Sequence, residues 1–165
     1  MSHREARALL IALSVSLAGC AATTARLGPG SEADLVTLIA TSAVGDPCSP
    51  AAFPGNFEFA TRIDRNGVRT PFAVPPGRVL VVTGFSWVAV GPANATATVE
   101  LRAGAAAPLV RSSAACDGII GRAGSSEVLT TGAVIGAGVP VCLTRSGTTS
   151  MTIEYGSLQG YLAAE

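Results

Sequence analysis

The 165-residue sequence contains no lysine, and its only histidine is His3. The absence of lysine excludes Schiff-base catalysis and the lysine that grips phosphate in a P-loop. The absence of histidine beyond position 3 excludes a Ser-His-Asp or Cys-His relay and an imidazole ligand for catalytic zinc. The side chains on which most familiar enzyme mechanisms depend are therefore missing from this sequence. We expect no metal and no cofactor.

Carboxylate chemistry remains open, because two acids about 5 to 9 Å apart can hydrolyse a glycosidic bond. The acidic residues are scattered singly along the chain, and no spacing pairs them. We therefore interpret them as solvated charges at turns and strand edges, and we predict a protein that is not an enzyme. The candidates considered are Asp34, Asp46, Glu58, Asp64, Glu100, Asp117, Glu127 and Glu154.

The first twenty residues have the pattern of a secretory signal. His3, Arg4 and Arg7 form a basic start, and residues 8–16 form an apolar run. That run is far shorter than the roughly 20 residues that a membrane-spanning helix needs. It ends in Leu-Ala-Gly-Cys at residues 17–20, with small residues before the cysteine. The segment resembles a bacterial lipoprotein signal peptide.

This resemblance implies that residues 1–19 are removed and that Cys20 becomes an acylated first residue. Two or three acyl chains would anchor the protein stably to a membrane of the bacterial envelope. In this family an Asp directly after the cysteine tends to retain the protein at the inner membrane, whereas this chain has Ala21. The resemblance thus implies the outer membrane more than the inner one. A signal peptide cut elsewhere, or an uncleaved membrane anchor, is the alternative.

The expected mature chain divides into two parts. Residues 20–32 comprise the lipidated cysteine and a flexible tether, and residues 33–165 form a single β domain. Removing residues 1–19 leaves nine arginines and ten acidic residues, a net charge of 9 − 10 = −1. Because this balance provides no basic face, we expect no nucleic-acid partner.

Short alternating or β-branched segments, separated by Gly, Pro and Asn, predict an all-β domain. Residues 57–63 alternate and are followed by Asn66-Gly67, which predicts a hairpin turn and a partner strand over residues 68–74. Residues 79–90 are the most apolar segment and predict a central strand that contains Trp87, with a bulge at Gly84. Further strands are predicted over residues 35–40, 96–102, 108–111, 127–130, 139–144, 150–155 and 158–163, and a glycine-marked turn over 132–138.

This number of short strands predicts an antiparallel β-sandwich with a jelly-roll-like architecture, and a single closed barrel is the alternative. Val-Pro-Pro-Gly at residues 74–77, before a long strand, and Gly-Tyr-Leu at residues 160–162 resemble segments of small secreted jelly-roll domains. That likeness implies an architecture and no function.

Three cysteines remain once Cys20 is assigned to lipid: Cys48, Cys116 and Cys142. In an oxidising envelope we expect one disulfide and one free thiol. We favour a Cys116–Cys142 disulfide, and both pairings that involve Cys48 stay open because connectivity does not follow from sequence alone. A metal site built from three thiols is not expected, since no close Cys-x-x-Cys pair exists to start it.

Two functional hypotheses follow. The first is a non-catalytic structural or protein-interaction lipoprotein, bound to the membrane through Cys20, whose partner is another envelope protein or a second copy of itself. The second is a carbohydrate or small-ligand binding module, with Tyr161, Arg62, Arg65 and Arg69 as possible contacts. Tyr161 is the better surface aromatic, because Trp87 lies in the most apolar strand and is expected in the core.

Overall fold

A computed structural model describes residues 28–42, 48, 56–146 and 150–165 of the chain. The expected signal peptide, Cys20 and the first part of the expected tether lie outside the described residues. Expectations about those segments therefore stay predictions.

The described chain is built from antiparallel strands and one short 3₁₀ helix, Glu32–Asp34. The alternation of apolar and polar residues produces the strands, since successive side chains of a strand point to opposite faces. The strands are β1 (Leu35–Ser42), β2 (Phe57–Ile63), β3 (Arg69–Pro71), β4 (Arg78–Val90), β5 (Thr96–Ala103), β6 (Val110–Ala115), β7 (Arg122–Ile135), β8 (Val141–Arg145) and β9 (Thr152–Ala164).

These strands form one continuous sheet in the order β6-β5-β8-β2-β1-β9-β4-β7, and β3 pairs only with β2. The predicted all-β antiparallel class is confirmed. The sheet curls until its two edge strands, β6 and β7, come into contact, which makes a nearly closed, barrel-like sandwich. Within the described residues no ladder pairs β6 with β7, and we call the line where they meet the seam.

The core lies inside this curled sheet and is filled by the inward faces of the long strands. β4 pairs with β9 on one side and with β7 on the other, so it is the central strand that the sequence predicts. Trp87 is only 1% exposed, which confirms its expected place in the core. Alternate residues of β5 point inward, since Ala97, Val99 and Leu101 are all buried.

The predicted hairpin turn after β2 is confirmed. Gly67 has φ +81°, a conformation that glycine adopts without steric cost, and its N–H donates to the Asp64 carbonyl at 3.0 Å. The partner strand β3 is shorter than predicted. The predicted irregularity at Gly84 is also confirmed, because the register of β4 shifts between Val82 and Gly84.

Two glycines lie inside strands where the sequence predicts interruptions. Gly132 has φ +70° and lies within β7, opposite the register shift of β4. β7 therefore extends to Ile135, and the chain turns only in the second half of the predicted range 132–138, where the Val139 N–H donates to the Gly136 carbonyl at 3.4 Å. Gly156 lies within β9, which forms one strand where two are predicted. A Cβ on Gly156 would approach Leu143 Cδ2 to 2.9 Å and Ala40 Cβ to 3.0 Å. Close packing across the core therefore requires glycine at position 156. The strand continues through this glycine.

The predicted Cys116–Cys142 disulfide is wrong, because Cys142 is bonded to Cys48 and Cys116 is a buried free thiol. Sheet register explains the error. Cys142 pairs with Arg102 of β5, whereas Ala115, the neighbour of Cys116, pairs with Thr96 of the same strand. Six residues of strand span about 20 Å, well beyond the roughly 7 Å between Cα atoms that a disulfide tolerates.

Candidate functional site

The barrel has two ends that carry different chemistry. The 3₁₀ helix, the start of β1, the turn after β2 and the start of β4 form the end that we call proximal, because the described chain enters there at Gly28. The loop 116–121, which joins β6 to β7, lies at the other end, which we call distal. β4 runs from one end to the other over 13 residues, and a strand of that length spans about 40 Å.

A surface cleft of about 710 Å³ opens at the proximal end. Arg62 and Arg65 bring two guanidinium groups to it, so the cleft combines donors with acceptors. Asp64 shapes its rim, because Oδ1 of Asp64 accepts the backbone N–H groups of Asn66 and Val68, each at 2.8 Å. The residues lining the cleft are Glu32, Ala33, Leu35, Thr37, Arg62, Ile63, Asp64, Arg65 and Asn66.

The four residues predicted as ligand contacts lie near one another, but only Arg62 and Arg65 line the cleft. Arg62 is held in place, because its Nη2 donates to the carbonyls of Ala33 at 3.1 Å and Leu35 at 2.7 Å. The side chain of Arg65 is 86% exposed and lies 3.9 Å from a Glu32 carboxylate that is 90% exposed. Tyr161 and Arg69 do not line the cleft; Tyr161 pairs with Leu35 and Arg69 with Ile63 at its border.

The distal loop is organised around one carboxylate. Asp117 Oδ1 accepts the backbone N–H groups of Ile119 at 2.9 Å and Ile120 at 2.7 Å, and Oδ2 accepts that of Arg122 at 3.2 Å. Hydrogen bonds from Ile120 and Ile119 hold the pKa of the Asp117 carboxyl below its usual range. Gly121 completes the loop, since its carbonyl accepts the N–H of Gly91 at 2.9 Å. The backbone of this loop is therefore fixed by hydrogen bonds.

At the tip of this loop, two large apolar side chains face solvent. Ile119 is 94% exposed and Ile120 is 61% exposed. Single exposed apolar residues are common, but two adjacent ones on a fixed loop form a ready contact for an apolar surface. This pair was not singled out from the sequence. The sequence pattern that could have indicated it is Asp117-Gly118, which is typical of the start of a turn, followed directly by two isoleucines.

The seam is closed by side chains. Trp87 Nε1 donates to Ser112 Oγ at 2.8 Å, and Ser112 Oγ donates to Glu127 Oε1 at 2.6 Å. Ser125 Oγ donates to the same carboxylate oxygen at 2.8 Å. The hydrogen bonds from Ser112 and Ser125 lower the pKa of Glu127. This network joins β4, β6 and β7 and keeps Glu127 ionised.

Glu100 forms a second buried network on the outer face of β5. Its side chain, which is 6% exposed, accepts two hydrogen bonds from Arg102, at 2.8 and 3.0 Å, and two from Arg111, at 2.6 and 3.0 Å. Burial raises the pKa of Glu100, but the hydrogen bonds from both arginines outweigh it, so the net shift is downward. The sequence pattern predicted a solvated charge at Glu100, and this is wrong because two arginines that each donate two hydrogen bonds make its burial tolerable.

Asp34 is likewise ion-paired with Arg78. The hydrogen bond from Arg78 is the main cause that lowers the pKa of the Asp34 carboxyl. Asp34, Glu100, Asp117 and Glu127 are therefore all shifted toward the ionised form. A general acid at neutral pH needs the opposite shift. These carboxylates act here as hydrogen-bond acceptors that organise the strands and loops.

Within the described ranges, no three side chains of the metal-ligating types cluster closely enough to hold an ion. None of the helices in that part of the chain has the length and apolar character to cross a membrane. Comparisons with protein-family models, curated proteins and solved structures find no match to this chain.

Proposed function

We propose that this protein is a lipid-anchored, non-catalytic interaction module of the bacterial envelope, which binds a partner protein through the distal loop. The observation that carries the proposal is the pair of exposed isoleucines on a loop fixed by Asp117. The partner is another envelope protein or a second copy of the chain.

The rigidity of the loop supports this role. Ordering a loop on binding costs conformational free energy, and a loop that is already ordered avoids that loss. Three backbone N–H groups on the Asp117 carboxylate provide this order before any partner arrives. Full burial of an isoleucine side chain contributes about 1.5 to 3 kcal/mol, so two isoleucines supply a useful share of a moderate affinity.

The position of the loop also supports this role. The described chain enters at the proximal end, and the expected anchor at Cys20 precedes that entry by eight residues. The isoleucines lie at the other end of β4 from this entry. An anchor at one end and a contact loop at the other suit a protein that holds a partner away from its own membrane.

Crosslinking in intact cells tests the proposal. A photoreactive amino acid is placed at Ile119 in one variant and at Val128, which is 79% exposed on β7, in the matched control. We expect a discrete protein adduct from position 119 and none from position 128. In the first variant, Ile120→Ser should reduce adduct yield about tenfold, because it removes roughly half of the apolar contact. Equal adducts at both positions, or none at 119, would contradict the proposal.

A second candidate function is supported by the proximal cleft. Its volume of about 710 Å³ lies in the range of small-ligand sites, and Arg62 and Arg65 offer donors to hydroxyl or acidic groups of a carbohydrate. Binding on a glycan array that is lost in Arg65→Ala but kept in Arg69→Ala would favour this function, since only Arg65 lines the cleft. An array without any binding would remove its main support.

A further inference from the structure

Four side chains form an apolar row across the outer face of the sheet at the proximal end. Val134 of β7 pairs with Val81 of β4, Val81 pairs with Tyr161 of β9, and Tyr161 pairs with Leu35 of β1. Side chains of directly paired residues lie on the same face, about 5 Å apart at Cβ. We call these four residues the proximal row.

The proximal row faces away from the core. Its strand neighbours Leu80, Val82 and Val36 are at most 2% exposed and point inward, so the row points outward. Leu35 is 51% exposed and Val134 is 62% exposed, while Val81 and Tyr161 are half-buried between them. Val79 and Ala163, which pair with each other, extend the apolar surface toward the end of the sheet.

The chain path places this row close to the expected anchor. Leu35 belongs to the row and follows the 3₁₀ helix directly, and the described chain begins only seven residues earlier at Gly28. Eight residues separate Cys20 from Gly28, and a chain of that length reaches at most about 29 Å. An acylated Cys20 would therefore hold Gly28 within about 29 Å of the bilayer surface, and the proximal row begins seven residues after Gly28.

We infer that the proximal row lies against the membrane that carries the Cys20 anchor, and that the distal loop, at the other end of β4, lies farther from that membrane. This inference rests on the proposed lipid anchor. Tyrosine is a side chain typical of the membrane interface, since its ring is apolar and its hydroxyl is polar. Leu35 and Val134 flank it with fully apolar surface that an interfacial contact buries.

The size of the row favours a membrane over a second copy of the chain. The row and its extension comprise six side chains, whereas a stable protein interface uses roughly 20 to 30 residues on each side. A tethered contact needs far less surface, because the anchor keeps the face at a local concentration in the millimolar range. Weak interfacial binding is then sufficient to orient the domain.

Fluorescence quenching in vesicles tests this orientation. The full lipoprotein is reconstituted in vesicles of phosphatidylglycerol and phosphatidylcholine, with or without bromine on the phosphatidylcholine acyl chains. Tyr161→Trp and Val134→Trp report on the proximal row, and Ile119→Trp is the distal control. The native indole of Trp87 adds a constant background, since Trp87 is the only tryptophan of the sequence and its burial, at 1% exposed, keeps it away from the lipid.

We expect brominated lipid to reduce the added emission about twofold in the two proximal variants, because an interfacial indole lies next to the acyl chains. The added emission in Ile119→Trp should not change. The inference is overturned if acylated protein shows no quenching at positions 161 and 134, or equal quenching at 119. A chain without acyl groups at Cys20 would overturn the proposed anchor as well, so mass analysis of each sample separates the two failures.

Discussion

Replacing both Cys48 and Cys142 by alanine removes the one disulfide that the described residues form. The two cysteines are 94 residues apart in sequence, and their Cα atoms are 5.8 Å apart. In the loop-closure model, cross-linking a loop of this length removes unfolded-state entropy worth about 4.7 kcal/mol at 25 °C. Because a domain of this size has a total stability of only about 5 to 15 kcal/mol, we expect the double variant to lose about a third or more of its stability.

Urea unfolding followed by Trp87 emission measures this loss. The oxidised native protein should lose about 4 to 5 kcal/mol on addition of a thiol reductant, and the double variant should show no further loss under reductant. Cys116→Ala is the matched control, since Cys116 is buried but unbonded. Its sensitivity to reductant should equal that of the native protein.

Two results would contradict the expected effect of the Cys48–Cys142 disulfide. A loss below about 1 kcal/mol in the double variant would show that the cross-link does not restrict the unfolded chain as calculated. Disappearance of the reductant effect in Cys116→Ala would show that Cys116 takes part in the bond. Peptide mapping of the unreduced protein should independently recover a Cys48–Cys142 cross-link.

Three further predictions concern the networks and the loop. Glu127→Gln should lower the free energy of unfolding by about 1 to 2 kcal/mol and alter Trp87 emission, because two hydroxyl groups lose a charged acceptor at the seam. The control Glu154→Gln affects only an exposed ion pair with Arg122 and should lower it by less than about 1 kcal/mol. The folded-state pKa of Glu127 is lowered, so its contribution is complete above about pH 4.3 and is lost as the pH falls through the lower folded pKa; in urea titrations at pH 5 and pH 3, the native protein should therefore lose more stability than Glu127→Gln. Gly121→Ala should lower the melting temperature far more than Gly67→Ala, because both glycines have positive φ but only the Cβ at position 121 would collide with the Gly91 carbonyl.

The alternation of apolar and polar residues and the residue types at turns predicted the fold class, because both patterns depend only on residues close together in sequence. Residues 57–63 form β2 with the predicted bounds, and Asn66-Gly67 forms the turn that follows. Trp87 could be placed in the core from the apolar character of its own strand. Each of these predictions depends on a few neighbouring residues, whose backbone preferences agree with the final structure.

Properties that depend on residues distant in sequence were not predictable in the same way. Glycine at positions 132 and 156 indicated turns, whereas long-range strand pairing kept both residues inside strands. The disulfide partner of Cys142 depended on which end of β5 each cysteine reaches, and register is set only by the assembled sheet. The burial of Glu100 likewise required Arg102 and Arg111 to converge on it, and Arg111 comes from the neighbouring strand β6.

The binding surfaces could be predicted only in part. Arg62 and Arg65 were expected as contacts and do line one cleft, since both lie near the same hairpin turn. The proximal row joins four strands whose order in the sheet the sequence does not reveal, so its continuity appears only in the folded chain.

The proposed attachment of the β domain to an envelope membrane through Cys20 is tested most directly by the intact mass of the protein extracted from cell membranes. We predict a chain that begins at Cys20 and carries acyl groups on that residue. A chain that retains residues 1–19, or that begins at Cys20 without acyl groups, would contradict the proposed attachment.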